Sequence, residues 1–283
     1  MASVQLSSAL QANLVSLQNT DNVLRSTQNR LATGMRVSNA LDNPANFFAA
    51  AGHTQRADLM SALKDNIGEA IQTVKEADKG VSSVKDLIEG IRGQLTQART
   101  ALNDTTNSVS LLTGIASNYN ELIRQLNNTA NDASYKGVNF LSGGTLSVNF
   151  NENATTTLSV TGFNASASGL AITSGTATGA GTTTSATFAT SANLSTIETS
   201  LNTALATLQT QSANLASNLT ILSSRNTFIS DTVNTLREGA TKLTEADQNQ
   251  EGANLLTLQT RQQLGITALS ISSQSAQGIL RLF

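Results

Sequence analysis

The sequence predicts a mainly α fold: an elongated antiparallel coiled coil or helix bundle formed by the N- and C-terminal segments, with a small β-hairpin or β-rich excursion at its centre. Three patterns carry that expectation. The first is a row of apolar residues seven apart: Leu194, Leu201, Leu208, Leu215, Leu222, Ile229, Leu236 and Leu243, widened by Leu205, Leu219, Val233 and Ala240. The second is a matching row, Met60, Ile67, Val74, Val81, Ile88, Leu95 and Leu102, accompanied three residues on by Leu63, Ala70, Ala77, Val84, Ile91 and Ala98. The third is a change of period between the two rows, where apolar and polar residues alternate. Seven residues is close to two helical turns, so each row is one face of one long helix. At 1.5 Å per residue the Leu194 helix would run about 75 Å, a stripe too long to bury itself without a partner of the same period.

Taken in order, the first segment, Ser3 to about Gly34, carries Leu10, Leu17, Leu24 and Leu31 seven apart, with Leu6 and Leu14 beside them. It reads as an amphipathic helix closed by a C-capping glycine after Thr33. Residues 35–50 break the pattern: Asp42-Asn43-Pro44 reads as a turn, and Phe47-Phe48 is the densest aromatic spot in the chain. The Met60 helix then runs to about Leu102, and Asn103-Asp104-Thr105-Thr106-Asn107 is a polar turn. A third helix spans roughly Ser108 to Ala130 on Leu112, Tyr119 and Leu126. Val138–Leu141, Leu146–Phe150 and Leu158–Val160 alternate as half-buried strands do, with Ser142-Gly143-Gly144-Thr145 as the expected hairpin turn between the first two. Residues 164–193, dominated by Ala, Gly, Ser and Thr, have too little apolar bulk for a core and read as a small exposed excursion. After the Leu194 helix, Thr244–Gly252 reads as a polar linker.

Composition narrows the function. Net charge is −2 and charged residues make up 13%, which gives no electrostatic footprint for nucleic acid. The absence of cysteine excludes disulfides, thiolate chemistry and Cys-based zinc sites. No run approaches a membrane span, and Met1-Ala2-Ser3-Val4-Gln5-Leu6 lacks the basic start and apolar centre of an ordinary secretory signal. His53, the single histidine, is a surface or packing residue: it has no second histidine four positions away, and no Ser/His/Asp set can be built on it. Gly175, Gly179 and Gly181 lie in a Ser/Thr tract with no following Lys, so they form a loop and not a phosphate cradle. No catalytic, cofactor or metal residue is expected.

The last segment, Ala253 to Phe283, is apolar around much of its circumference: Leu255, Leu256, Leu258, Leu264, Ile266, Leu269, Ile271, Ile279, Leu280, Leu282 and Phe283, with Arg261 and Arg281 its only charges. Such a belt belongs inside something. The comparable segment lies at the opposite end, so the two ends should meet and associate with other copies.

Two stretches then resemble a known family. Gln28-Asn29-Arg30-Leu31-Ala32-Thr33-Gly34-Met35-Arg36-Val37 with Ala40-Leu41-Asp42-Asn43-Pro44-Ala45, and Ala253-Asn254-Leu255-Leu256 through Gln259-Thr260-Arg261-Gln262-Gln263-Leu264-Gly265, resemble bacterial flagellins of the alphaproteobacterial type. Leu280-Arg281-Leu282-Phe283 also fits, and the similarity covers roughly residues 1–150 and 194–283. The resemblance implies a secreted, extracellular helical filament for swimming, built by homo-oligomerisation and shared with sister flagellins. It also implies export without a cleavable signal, and partnership with an export chaperone, hook-associated proteins and a cap protein. Nucleic acid and membrane insertion have no place in it. Residues 1–34 and 253–283 would be the terminal coiled-coil core of the filament, packing through Leu10, Leu17, Leu24, Leu31, Leu255, Leu258, Leu269, Ile279 and Phe283. Segments 35–52 and 244–252, with Pro44, Phe47 and Phe48, would be connecting spokes; 53–160 and 194–243 a helical bundle; and 161–193 a small variable region. The bundle seam would run through Met60, Ile67, Val74, Val81, Ile88 and Leu95 against Leu201, Leu208, Leu215, Leu222, Ile229 and Leu236.

The Ser/Thr tract at 166–191 is either a solvated loop or, as in relatives, a site of O-linked glycan. The 138–150 stretch matches a segment tied to supercoil switching in the family. Many flagellins carry an Arg, Glu and Leu read by a toll-like receptor; here the matching positions are Gly90, Gly93 and Gln94, with only Arg92 retained, which implies poor activation. Two alternatives stand beside the filament subunit: a hook–filament junction adaptor, and a surface glycan-binding module using the 140–193 region. The latter has only Phe140, Phe150, Phe163 and Phe188 to offer a sugar.

Overall fold

The computed structural model describes residues 8–103, 108–176 and 187–280. Within them, nothing is described of the side chains at 8, 9, 108, 276 and 278–280. The expected helix start at Ser3, most of the polar turn 103–107, Gly179 and Gly181, the Ile279 side chain and Phe283 therefore lie outside the described residues. The elements run α1 Ser8–Thr33, α2 Pro44–Leu102, α3 Ser108–Asp132, β1 Thr145–Asn149, β2 Thr157–Thr161, α4 Ser191–Thr244 and α5 Gln248–Leu280. They form two compact units, one of Asp58–Val233 and one of Met1–Ala57 with Asn234–Phe283.

In the first unit the seven-residue row of α2 goes inward: Met60, Ile67, Val74, Val81, Ile88 and Leu95 are buried, and so are Ala70, Ala77, Val84, Ile91 and Ala98. On α4 the buried row is Leu194, Leu201, Leu208, Leu215, Leu222 and Ile229. Each Leu, Ile, Val or Met side chain among these contributes roughly 1.5–3 kcal/mol when taken out of water. Two side-chain pairs fix the direction of approach. Ser212 Oγ donates to Asp78 Oδ1 at 2.9 Å, and Arg99 Nη2 meets Glu198 Oε2 at 2.5 Å. Sequence number rises along α2 as it falls along α4, so the helices are antiparallel. Helix α3 folds back along α2, bringing Leu122 beside Gly90 and Ala133 beside Gly80. A Cβ at Gly80 would meet Ala133 Cβ at 2.8 Å and Leu141 Cδ2 at 2.9 Å, so this close approach requires glycine.

Two central expectations are corrected. Strands β1 and β2 pair antiparallel, Leu146 opposite Val160 and Val148 opposite Leu158, so the hairpin turn lies at 150–156 and not at Ser142–Thr145. Residues 138–141 form no strand. There the Asn139 side chain substitutes for a ladder: Oδ1 accepts the Leu141 N–H at 2.8 Å, and Nδ2 donates to the Ala130 carbonyl at 2.8 Å. The consecutive Phe140 and Leu141 are both buried, which a half-buried strand cannot achieve. The second correction concerns 164–193, read as an exposed excursion, of which 177–186 lie outside the described residues. Ala165, Ala167, Leu170, Ile172 and Phe188 are buried. Helix α3 holds this stretch by polar clamps. Asn120 donates to the Gly175 carbonyl at 2.7 Å and accepts its N–H at 2.8 Å, Asn127 accepts the Ala167 N–H at 2.8 Å, and Tyr119 OH donates to the Thr173 carbonyl at 2.9 Å. The buried Tyr119 and Phe188 rings meet edge-on at 5.2 Å. The linker after α4 is also shorter than expected, because α5 begins at Gln248.

Candidate assembly surface on the terminal helices

The second unit is built where the two ends of the chain meet. Helix α1 stops because Gly34 takes a left-handed φ of 69° and its N–H reaches back to the Arg30 carbonyl at 2.8 Å. The chain leaving α1 then runs beside the chain leaving α4. Arg36 and Val37 both donate to the Thr244 carbonyl, at 2.7 and 3.1 Å, and Ala246 donates to the Gly34 carbonyl at 2.9 Å. Beyond this ladder residues 38–43 form a braced turn. Asp42 Oδ2 accepts from the Ser38 N–H and Oγ and the Asn39 N–H, while Asn39 Oδ1 accepts the N–H groups of Leu41 and Asp42. The Ser38 and Asn39 backbone donors hold the Asp42 carboxyl below the usual carboxylate range. Asn43 then caps α2 by accepting the Asn46 N–H at 3.1 Å, with Pro44 at the first helical position, where no N–H is needed.

Helix α5 starts with Asp247 as its cap, Oδ1 accepting from Asn249 and Gln250 at 2.9 and 3.1 Å. Its first turn carries Glu251, buried, whose Oε1 lies 3.2 Å from Arg30 Nη1 in the last turn of α1. Each charge thus sits at the helix end whose dipole favours it. Helices α1 and α5 pack antiparallel, because Leu17 abuts Gly265 while Arg30 meets Glu251. A Cβ at Gly265 would come 2.8 Å from Leu17 Cδ1.

Of the predicted packing residues, Leu24 is buried, while Leu10, Leu17, Leu31, Leu255, Leu258 and Leu269 are half-buried. The rest of the apolar surface faces solvent. Leu14 is 40% exposed, Val15 54%, Val23 51%, Leu256 68%, Leu264 64%, Ile266 55% and Ile271 59%. Val15 and Val23 fall off the seven-residue row, so only their place beside it could have marked them. Pro44 is exposed, Phe47 is half-buried, and Phe48, 65% exposed, meets Phe47 edge-on at 5.6 Å. Leu236, the last residue of the predicted bundle seam, is half-buried. His53 is exposed. Among the described residues no cluster of three His, Asp or Glu side chains could hold a metal, and no helix is long and apolar enough to cross a membrane. What this site offers is hydrophobic surface on a helical pair, closed at one end by a part-buried ion pair.

The chain matches two family regions. Residues 4–145 match the bacterial flagellin N-terminal helical region, and residues 180–283 match the bacterial flagellin C-terminal helical region. A flagellin of Brucella melitensis biotype 1 is 32% identical over 100% of this chain and 99% of its own length. Flagellins FljM and FljN of Caulobacter vibrioides are 30% and 31% identical, each over 95% of both chains. The chain belongs to the bacterial flagellin family.

Proposed function

We infer that this chain is the structural subunit of a bacterial flagellar filament, an extracellular polymer for swimming. The observation that carries the reading is the unpartnered apolar surface of the α1–α5 pair, seven large side chains each at least 40% exposed on two adjoining helices. Surface of that kind on a soluble chain marks an association site. A second copy of the same pair offers the same chemistry, so self-assembly removes it from water. In this reading residues 1–34 and 253–283 are the polymerising domain, 35–52 and 244–252 the connecting spokes, and 53–160 with 194–243 the helical bundle. Residues 161–193 remain the variable region, with 166–191 a candidate for O-linked glycan. Sister flagellins co-assemble, an export chaperone and hook-associated and cap proteins are the further partners, and the chain performs no catalysis.

Sedimentation and negative-stain electron microscopy of the purified chain test this, with Leu17→Asp and Leu269→Asp beside it. Each substitution places a carboxylate on the half-buried face of α1 or α5, costing several kcal/mol on assembly. Long filaments are expected from the parent and none from either variant, with helical circular dichroism largely retained. Short, closed or absent assemblies from the parent would point instead to the junction adaptor.

A further inference from the structure

Among the described residues of the second unit, the most exposed large apolar side chain lies outside the terminal helices. Leu41 is 95% exposed at the tip of the 38–43 turn. An unconstrained loop would fold such a residue down against its neighbours. This turn does not, because its backbone is held from within by the Asp42 carboxylate and the Asn39 amide. A rigid, presented leucine loses little entropy on docking, which is the property of an anchor residue.

The same unit carries a groove with the opposite shape. It lies between the start of α2 and the end of α4 and encloses about 440 Å³. Its buried floor is Val37, Ala50 and Ala240, and Met35, Phe47 and Ala51 wall it. Small residues on the floor leave room for one branched side chain. Leu41 of the same chain does not enter it, being almost wholly in solvent only four residues from Val37. Charge also matches: Asp42 is the one ionisable residue of the 38–43 tip, and Arg237 is the one ionisable residue lining the groove. Tip against tip would oppose two carboxylates, whereas tip into groove joins opposite signs.

We propose that Leu41 of one subunit inserts into the Val37/Ala50/Ala240 groove of the next, so that the turn and the groove form a head-to-tail contact between successive copies of this chain. The proposal rests on the filament reading and adds to it a second, separate contact. Taken head to tail, the contact leaves a free knob at one end and a free groove at the other, so it propagates as an open helical array when its rotation does not close into a ring.

The cysteine-free sequence makes the test direct. A chain carrying both Leu41→Cys and Ala51→Cys is assembled, oxidised and run on a non-reducing gel beside each single variant and an equimolar mixture of the two. A ladder from the double variant and dimers, no longer species, from the mixture are expected; the mixture rules out a bond within one chain. Leu41→Ala, which removes only solvent-exposed atoms and leaves the subunit folded, should raise the concentration at which polymer first appears by roughly tenfold or more. Normal filaments that give only monomer after oxidation, and an unchanged threshold for Leu41→Ala, would overturn this contact while leaving the filament reading intact. Failure of the parent chain to polymerise would instead remove the filament reading itself, and this contact with it.

Discussion

Two glycine-to-alanine substitutions in the same unit should move stability in opposite directions. At Gly175 a Cβ would lie 2.8 Å from Phe188 Cζ, 2.9 Å from Phe188 Cε2 and 2.9 Å from Tyr119 Cδ1. Neither ring can swing aside, since both are fully buried and packed edge-on against each other. Forcing a methyl group into such a site costs about 1–3 kcal/mol. At Gly114, inside α3, a Cβ would meet nothing within 4 Å. There alanine restricts the unfolded chain and suits the helix, contributing about 0.5–1 kcal/mol. The two variants should therefore differ by roughly 1.5–4 kcal/mol. With a urea slope of about 2 kcal/mol/M, that separates their midpoints by roughly 0.7–2 M. Near-ultraviolet circular dichroism reads the right unit, because Tyr119 and Tyr135 are the only tyrosines, both lie within Asp58–Val233, and tryptophan is absent. Coincident midpoints, or a Gly175→Ala midpoint above that of the parent, would refute the claim that the Ala/Ser/Thr stretch is packed against α3.

Three further outcomes are expected. Burial pushes the Tyr119 phenol up from 10.0 to about 12, and the Glu69 carboxylate that accepts the Tyr135 hydroxyl raises that phenol too. The folded state then keeps protons that the unfolded chain releases, so stability falls as pH climbs from about 10 through about 12. Tyrosinate absorbance with a single midpoint at the ordinary value would contradict this. Glu251→Gln should weaken the α1–α5 pairing by about 1 kcal/mol, and the reversed pair Arg30→Glu with Glu251→Arg should not restore it, because each charge then sits at the wrong helix end. Polymerisation thresholds measure both, and full rescue by the reversal would show that the dipoles contribute nothing. The flagellin resemblance sets Gly90, Gly93 and Gln94 at the positions where many flagellins carry side chains read by a toll-like receptor, so we propose that the purified protein activates receptor-bearing reporter cells weakly; a potent response would sink that expectation.

What could be read in advance depended on side-chain bulk. The seven-residue rows of α2 and α4 were legible because large apolar residues alone define them, and the cap at Gly34 because a glycine after a helical run has one common use. The 138–141 segment misled because apolar-polar alternation says nothing about Asn139, whose amide takes over the hydrogen bonds that a neighbouring strand would supply. Burial of Ala165, Ala167 and Gly175 was invisible for a related reason. Small residues add little to a hydropathy pattern, and the clamps that sink them are Asn120, Asn127 and Tyr119, some forty to fifty-five positions away. On the terminal helices the apolar belt was plain, but its division into a packed seam and an exposed face was not. That division depends on where Leu17 meets Gly265 and Arg30 meets Glu251, a register that neither helix specifies alone.

The Arg30–Glu251 contact joins residues 221 positions apart. Closing so long a loop is slow, and it is impossible before the distal partner exists. A chain emerging in order, whether from a ribosome or from an export channel, can wind α2 against α3 early, but α1 has nothing to pair with until residues past 248 arrive. The exposed apolar surface and the ladder that anchors it therefore appear together, late, and only in molecules that have been carried through to the far end. If that surface is the polymerising one, as proposed, truncated or stalled chains lack the means to join the polymer, and assembly tests each subunit for completeness.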